Sequence, residues 1–236
     1  MVIVPDALAD DRFSDNPLVT NEPYIRFYAG VPLALGDGCK VGTLCVIDQD
    51  PRTLSPSEIG LLKDLAEMVT HELVALRLAT MEDLTQLSNR RGFTVLAQHA
   101  LDVCRRLEKN ATFLYFDLDN FKDINDRFGH SEGDIALVKF AEHLRLAFRE
   151  SDVSGRLGGD EFGTLLIDSD MAGVDLALER LRDHVDKQNT LASRGYELQY
   201  SIGMITFDPS SHDDISALIK AADKLMYEHK QRKPTD

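Results

Sequence analysis

The chain has 236 residues, of which 43% are apolar and 28% are charged, an ordinary balance for a globular protein of one or two domains. Acidic residues outnumber basic ones by 40 to 26, which gives a formal net charge of −14. This excess argues against binding to nucleic-acid polymers or to anionic membranes, because both depend on clustered lysine and arginine. A small anionic ligand is not excluded, since it needs only a local cationic pocket or a metal ion.

Three features of the sequence predict a cytoplasmic protein without a membrane span. No apolar run approaches the roughly 18–20 residues that a span requires. The start of the chain lacks the basic flank and long apolar stretch of a signal peptide. The cysteines, Cys39, Cys45 and Cys104, are odd in number and lack the Cys-x-x-Cys spacing of a zinc site, so they suit a reducing compartment.

Short strands and turn-forming residues fill the first stretch, residues 1–54. Strands are predicted over residues 24–35 and 41–48, with Gly36-Asp37-Gly38 as the hairpin turn between them. The stretch is too short for a complete β-rich core.

A connecting helix is predicted over residues 55–81. Ser55 is placed to cap it, Pro56 suits its first turn, and Glu58 follows the cap by three residues. Apolar residues follow at a spacing of three or four, with an interruption at position 72: Leu62, Leu65, Val69, Leu76 and Ala79. This row fits either a dimeric coiled coil or an amphipathic helix packed on its own domain.

From residue 82 onwards, helical and strand patterns alternate. The predicted order is α-β-α-β-β-α-β-α, over residues 89–108, 111–118, 132–149, 153–157, 161–167, 173–189, 197–207 and 215–228. The order predicts an α/β (α+β) fold in which helices cover a mixed sheet. We therefore divide the chain into segments 1–54, 55–81 and 82–236.

An acidic cluster follows the predicted strand 111–118. Asp117 ends the apolar run, and Asp119 shares its face while strand geometry lasts. An ionised carboxylate at the end of a buried strand is costly unless it is paired or bound to metal. Mg²⁺ takes such ligands together with substrate phosphates, and Lys122 offers a charge for a phosphate. A polar strand-end loop is the alternative interpretation.

A second cluster, Gly158-Gly159-Asp160-Glu161, lies between two apolar strands. The glycines permit a tight turn and close approach of a ligand, whereas a plain hairpin has no need of two adjoining acids. Together the two clusters predict a site for Mg²⁺ and a nucleotide, and hence metal-assisted phosphoryl or nucleotidyl transfer.

Five motifs over residues 82–233 resemble the GGDEF domain of diguanylate cyclases. The naming motif is intact at residues 158–162. The other motifs are the nucleotide-binding segment 117–126 with Gly129-His130 and Gly133-Asp134, the opening motif 84–91, and the closing motifs 201–203 and 222–230.

The resemblance implies that a homodimer condenses two GTP into cyclic di-GMP and releases two pyrophosphates. It implies Mg²⁺, or Mn²⁺ in its place, held by Asp117, Glu161 and the backbone carbonyl of Leu118. Asp160 corresponds to a metal-associated acid that helps to deprotonate the 3′-hydroxyl, so Asp160 and Glu161 are the expected catalytic pair.

The resemblance also implies a set of substrate contacts. Asn125 and Asp134 are expected to hydrogen-bond the guanine edge, while Lys122 and Lys230 meet phosphates. His130 is interpreted as structural. The full set of expected substrate-binding residues is Phe121, Lys122, Asn125, Asp134, Gly159 and Lys230.

An Arg-x-x-Asp pattern, Arg149 to Asp152, precedes Gly158 at the distance of the family's inhibitory product site. Arg149 suits phosphate or the guanine Hoogsteen edge, and Asp152 can accept from guanine N–H groups. Without the resemblance, the pattern is equally typical of a solvated ion pair at a helix end.

The chain departs from the family pattern at three places. Glu82 stands where the family usually has Asp, and Gln86 stands where it usually has Gly, which predicts a strained turn. The family's phosphate-binding arginine after Lys230 is out of register, and neither Arg232 nor Lys233 is assigned to replace it.

Residues 1–54 resemble the second half of a GAF sensor domain, through residues 4–7, 13–19, 25–33 and 42–48. The family usually spans about twice this length, which implies a fragment or a displaced gene start. The ligand is unknown, and a degenerate dimerisation or packing module is the alternative.

The sequence leaves three functions open. The leading one is an active, product-inhibited diguanylate cyclase. The others are a non-catalytic receptor for cyclic di-GMP or GTP and a cyclase with relaxed base specificity.

Overall fold

The computed structural model describes residues 1–36, 38–192 and 194–232, with all their side chains except those of residues 192, 229, 231 and 232. The chain forms two compact units, Met1–Arg77 and Leu78–Asp236. No helix in the described part of the chain is long and apolar enough to cross a membrane.

The first unit contains a three-stranded antiparallel sheet in the order β1-β2-β3. Its elements are β1 (Val2–Val4), the short helix α1 (Pro17–Thr20), β2 (Phe27–Ala34), β3 (Lys40–Asp48) and most of α2 (Pro56–Thr80). Strands β2 and β3 correspond to the two predicted strands, whereas β1 and α1 were not predicted. The expected turn between β2 and β3 includes Asp37, which lies outside the described residues.

Helix α2 begins with the predicted capping box. The backbone N–H of Ser55 donates to the Glu58 carboxylate at 2.7 Å, and the N–H of Glu58 donates to the Ser55 hydroxyl at 3.3 Å. Leu62 is buried and packs in a cluster with Phe27 and Ala29 of β2. Leu62 therefore follows the second of the two predicted alternatives, an amphipathic helix packed on its own domain.

The exposed face of α2 nevertheless remains strongly apolar. Leu61, Leu65 and Met68 expose 61%, 44% and 67% of their surface. A helix that buries one face and leaves a second apolar face uncovered has surface available for another partner.

The second unit contains a four-stranded sheet in the order β5-β6-β4-β7, with antiparallel pairing between neighbours. Helices pack on both faces, and the predicted α/β fold is confirmed. The elements are α3 (Arg90–Leu107), β4 (Ala111–Leu118), α4 (Phe121–Phe128), α5 (His130–Ala147), β5 (Val153–Arg156), β6 (Glu161–Ile167), α6 (Met171–Ala192), β7 (Tyr200–Thr206) and α7 (Ile215–Arg232).

The central strand β4 explains the two halves of the core. Phe113 and Tyr115 point to one face and pack with residues of α3 and α7. Leu114 and Phe116 point to the opposite face and pack with α5 and α6. Because side chains alternate along a strand, Asp117 follows Phe113 and Tyr115 onto the α3/α7 face.

Two elements near the site differ from the prediction. Helix α4 covers Phe121–Phe128, a segment that the sequence analysis treated only as a ligand-binding stretch. Gly129, with φ of 89°, separates it from α5, which begins at His130. The left-handed φ at Gly129 permits the sharp change of direction between the two helices.

Helix α7 lies unusually close to β7. A Cβ atom at Gly203 would stand 2.0 Å from the carbonyl oxygen of Ala222, so this approach requires glycine. The contact holds α7 against the sheet, and its last turn carries Lys230 to the end of β4.

Candidate active site

Asp117 and Glu161 lie directly opposite each other at one end of the second unit's sheet. They are Cα partners in the antiparallel ladder between β4 and β6. Residues in this relation project their side chains from the same face, with Cβ atoms about 4.5–5.5 Å apart. Although 44 positions separate Asp117 and Glu161 in the sequence, the sheet makes the two residues neighbours.

The turn between β5 and β6 is shaped around Glu161. A Cβ atom at Gly158 would stand 2.1 Å from a carboxylate oxygen of Glu161, so a side chain there would displace the acid. A Cβ at Gly159 would meet nothing within 4 Å. Gly158 therefore makes room for the acid, whereas Gly159 borders open space that a ligand can approach.

An arginine two positions before the turn fixes its shape. The Arg156 guanidinium donates to the carbonyl oxygen of Gly159 at 2.7 and 3.0 Å. It also donates to Glu82 at 3.0 Å, and both side chains of this ion pair are mostly shielded, with 16% and 22% exposed. A shielded, hydrogen-bonded ion pair orients its partners better than a surface pair does.

Glu82 is itself held by the start of the second unit. Its carboxylate accepts from the backbone N–H groups of Leu84 and Thr85 and from the Thr85 hydroxyl. Burial acts to raise the pKa of Glu82, but these hydrogen bonds and the charge of Arg156 outweigh it and leave the pKa below its usual value. Glu82, in place of the family's usual Asp, thus remains a charged carboxylate that accepts hydrogen bonds from Leu84, Thr85 and Arg156.

The sequence analysis did not assign a role to Arg156. The available signals were an arginine close to the glycine turn and, far away in the sequence, an acid at position 82 that keeps the charge of the family's usual Asp. Only the fold brings Glu82 and Arg156 together, because 74 positions separate them.

Asp160 lies beside this acidic pair. Its backbone carbonyl accepts from the N–H of Leu118 at 3.1 Å, which ties the turn to the end of β4. Burial and then the negative charge of Asp117 raise the pKa of the Asp160 carboxyl, with a partial offset from Lys230. Repulsion of this kind favours the binding of a cation.

Tyr115 lies behind Glu161 on the same face of the sheet. Burial raises the pKa of Tyr115, and its hydrogen bond with Glu161 adds to the effect. Arg90 approaches Glu161 less closely, at 3.9 Å, and donates instead to the carbonyl of Leu157 at 2.6 Å. The hydroxyl group of Tyr115 thus positions Glu161, whose side chain remains about one-third exposed.

The donor set suits a hard divalent cation that arrives with phosphate ligands. Among the described residues, no group of three or more acidic, histidine or cysteine side chains is arranged to hold a metal ion. Two carboxylates completed by a backbone carbonyl and by phosphate oxygens are nevertheless a usual environment for Mg²⁺. Asp119 turns away from this set, because it is buried and accepts from the Ser201 hydroxyl at 2.7 Å.

The N-terminus of α4 presents backbone donors next to β4. Asn120 has a left-handed conformation, with φ of 56°, and makes no side-chain capping hydrogen bond. The first N–H groups of a helix have no acceptor within that helix, and here they include Phe121 and Lys122. The Lys122 side chain is exposed.

Asn125 and Asp134 are brought together by the junction of α4 and α5. The Asn125 side chain lies against Gly133, where a Cβ atom would stand 2.1 Å from its amide oxygen. Asp134 follows Gly133 directly and is exposed. Two helices thus supply an amide and a carboxylate side by side.

Arg149 and Asp152 border a groove of about 630 Å³ that also includes Ser88, Arg145 and Phe148. The Asp152 carboxylate accepts from the backbone N–H of Arg149 at 2.9 Å and from that of Ile167 at 3.2 Å. The Arg149 side chain, by contrast, is exposed. Of the two expected ligand-binding groups at this groove, one is therefore hydrogen-bonded to the backbone and the other is exposed to solvent.

The predicted strain at Gln86 has a structural counterpart. Gln86 has a φ of 56°, the left-handed region that glycine adopts most easily. Its side-chain amide donates to the carbonyl of Asp83 at 2.7 Å, which partly offsets the strain. The side chain of Arg232 and all of Lys233 lie outside the described residues, so the replacement of the missing phosphate arginine stays unassigned.

Comparison with known proteins identifies both parts of the chain. Residues 79–235 match the family described as diguanylate cyclase, GGDEF domain, and residues 1–73 match the GAF domain. Diguanylate cyclase DgcP of Escherichia coli K12 is 31% identical over 244 residues, which are 95% of this chain and 70% of that protein. Two other curated relatives from that bacterium are longer, and the chain spans 41% and 37% of their length.

Solved structures give the same result for the second unit. Diguanylate cyclase SiaD of Pseudomonas aeruginosa, determined with its activator SiaC, is 29% identical with a TM-score of 0.60, over 74% of this chain and 68% of that one. A microbial GGDEF domain determined for its interaction with cyclic di-GMP is 29% identical with a TM-score of 0.58, over 66% of this chain and 94% of that one. The expected enzyme class is thereby confirmed at the level of the family: the chain belongs to the GGDEF-domain diguanylate cyclases, and a GAF domain precedes its catalytic domain.

Proposed function

We propose that the chain condenses two GTP into cyclic di-GMP and two pyrophosphates, with Mg²⁺ or Mn²⁺ as cofactor. The observation that carries the proposal is the cross-strand pair of Asp117 and Glu161, next to a glycine turn with open space at Gly159. Membership of the diguanylate cyclase family supports the reaction, and the position of this pair at the strand ends supports the choice of residues.

In this proposal Asp117, Glu161 and the backbone carbonyl of Leu118 hold the metal, with Asp160 beside them. The bound metal stabilises negative charge on the α-phosphate and lowers the pKa of the 3′-hydroxyl. In this proposal Asp160, next to the metal-binding pair, accepts the proton from that hydroxyl.

The nucleotide is held along the ends of α4 and α5. The Asn125 amide and the Asp134 carboxylate suit the guanine edge, since a carboxylate accepts from N1–H and the N2 amino group, which adenine does not offer together. The backbone amides of Phe121 and Lys122 and the Lys122 ammonium receive phosphates at the helix start. Gly159 leaves the space that the phosphates need.

The reaction requires two such sites that face each other, so the functional form is a homodimer. Each subunit presents one GTP, and the 3′-hydroxyl of one attacks the α-phosphate of the other while pyrophosphate leaves. The exposed apolar face of α2, with Leu61, Leu65 and Met68, suits contact with a second copy.

We further propose product inhibition through Arg149 and Asp152. The groove of about 630 Å³ has room for a nucleotide base, and the exposed Arg149 guanidinium can reach a phosphate or a Hoogsteen edge. Asp152 retains acceptor capacity, since a carboxylate offers about four lone-pair sites and two are used by backbone N–H groups. The related GGDEF domain determined for its interaction with cyclic di-GMP makes this ligand the first to test.

One experiment tests the reaction. The protein is incubated with GTP and Mg²⁺, the products are identified by mass, and the oligomeric state is measured in the same sample. Cyclic di-GMP and pyrophosphate are the expected products, and ATP supplied in place of GTP is expected to yield none. A verified dimer that binds GTP without turnover would instead indicate a receptor, and mixed dinucleotides would indicate relaxed base specificity.

A further inference from the structure

Lys230 is bound to one of the proposed metal ligands. Its ammonium group donates to a carboxylate oxygen of Asp117 at 2.5 Å, from the last turn of α7 to the end of β4. The Asp117 side chain is 14% exposed and the Lys230 side chain 41%. The carboxylate is therefore well shielded, while the lysine reaches it from the open side.

The ion pair balances a concentration of negative charge. Asp117, Asp160 and Glu161 stand together at the strand ends, and Asp119 lies nearby. The Lys230 ammonium is hydrogen-bonded to Asp117, and the charges of Asp119 and Asp160 also attract it. The lysine is thus held as a cation where carboxylates would otherwise repel one another.

We infer that Lys230 occupies, in the nucleotide-free protein, the position on Asp117 that the metal takes in the working enzyme. The inference deepens the proposed function and rests on it. An ammonium and a divalent cation repel each other and compete for the same carboxylate oxygen. The lysine side chain is flexible, so it can exchange its carboxylate partner for a phosphate, which is an equally strong acceptor.

The exchange makes metal binding depend on nucleotide binding. Without GTP, a divalent ion must displace Lys230 and leave its ammonium without an anionic partner. With GTP, the phosphates receive Lys230 and supply additional metal ligands. Such coupling is reciprocal, so the metal strengthens nucleotide binding by the same factor by which the nucleotide strengthens metal binding.

The test measures Mn²⁺ affinity directly, by the electron paramagnetic resonance signal of the free ion, with and without a GTP analogue that has a methylene α–β bridge. The variants are Lys230→Met, which removes the charge at similar length, and Lys230→Arg, which keeps it. Lys220→Met is the matched control, because Lys220 is an exposed lysine on the same helix.

Without nucleotide, Lys230→Met is expected to bind Mn²⁺ roughly tenfold more tightly than the wild type, since one like charge is removed within contact distance. Lys230→Arg and Lys220→Met are expected to behave as the wild type. With the analogue present, the advantage of Lys230→Met is expected to disappear, and its affinity for the analogue is expected to fall. Unchanged or weaker Mn²⁺ binding by nucleotide-free Lys230→Met would overturn the inference.

Asp117→Asn distinguishes this failure from a failure of the proposed function. If Asp117→Asn binds Mn²⁺ as the wild type does, with the analogue present, the metal site is elsewhere and the proposed function loses its main support. If Asp117→Asn abolishes binding while Lys230→Met leaves it unchanged, the metal site stands and only the competition by Lys230 is rejected.

Discussion

Two aspartates of the second unit, Asp117 and Asp152, show how differently a motif acid can be used. Asp117 is bound by the ammonium of a flexible side chain, which the proposed metal would displace. Asp152 is bound by two backbone N–H groups, which stay in place as long as the fold does. The first acid is poised for exchange, whereas the second is part of the scaffold that shapes its groove.

The largest expected effect concerns the acids at the proposed metal site, of which Asp117 is one. Glu161→Gln keeps the volume of the side chain but removes the charge opposite Asp117, and the metal contributes several kcal/mol to such reactions. We expect the turnover number for cyclic di-GMP to fall on the order of 10³-fold. The far-ultraviolet circular dichroism spectrum serves as the control for folding, and a folded variant with near-normal turnover would contradict the assignment.

A smaller loss is expected when the support of the turn is removed. Glu82→Gln cancels the charge that orients Arg156, so the carbonyl of Gly159 loses its fixed donor. We expect turnover to fall about tenfold, as for other residues that orient metal ligands, with the KM for GTP changed less. Glu82→Asp, which retains the charge, is expected to recover most of the activity. Equal losses in both variants would indicate a packing defect.

A pair of alanine variants tests whether Asp152 contributes to the stability of the fold while Arg149 does not. Asp152→Ala leaves two backbone N–H groups without their acceptor and is expected to lower the free energy of unfolding by about 1–3 kcal/mol. Arg149→Ala removes an exposed side chain and keeps its backbone donor, so the midpoint of denaturation is expected to stay unchanged.

Both alanine variants are expected to weaken inhibition by cyclic di-GMP, measured as the product concentration that halves the initial rate. Inhibition that persists unchanged in Arg149→Ala would reject the proposed product site. An equal loss of stability in the two variants would show that the scaffold role of Asp152 is misjudged.

The smallest effect concerns α5, the helix that carries Asp134 near its start and whose last turn borders the proposed product groove. His143 on this helix is buried, and within the described structure neither ring nitrogen has a hydrogen-bond partner. Because a buried polar group without a partner is costly, His143→Leu is expected to raise the free energy of unfolding by about 1 kcal/mol.

The same histidine predicts a pH dependence. Burial and then the charge of His184 lower the pKa of His143 in the folded protein. The unfolded chain therefore binds the proton more readily, so wild-type stability is expected to decline as the pH falls below about 6.5. Chemical denaturation at a series of pH values measures the slope, which His143→Leu is expected to reduce.

Sequence reasoning reached the catalytic elements because their signals are local. The unbroken apolar run of β4 predicts a buried strand, and Gly158-Gly159-Asp160-Glu161 is a compact motif. It missed α4 although Phe121, Ile124 and Phe128 follow the spacing of a short amphipathic helix, because the polar residues between them were interpreted only as ligand-binding groups. It left Leu62 undecided between a coiled-coil seam and packing on its own domain, because a single helix can carry two apolar faces.

The contacts that the sequence did not reveal are long-range pairs. The Glu82–Arg156 ion pair and the Lys230–Asp117 ion pair join positions 74 and 113 residues apart. Neither pair has a periodic or local signature, so each becomes visible only when the sheet has been assembled.

The end of α2 is fastened to the catalytic unit at several points. The Asn89 side-chain amide donates to the carbonyls of Ala79 and Met81, and a Cβ at Gly92 would stand 2.2 Å from the carbonyl of Thr80. These contacts join the last residues of α2 to the start of α3 within the second unit. Glu82, two residues beyond the end of α2, is bonded through Arg156 to the turn that carries Asp160 and Glu161, so a change at the start of the second unit reaches this turn through only two side chains.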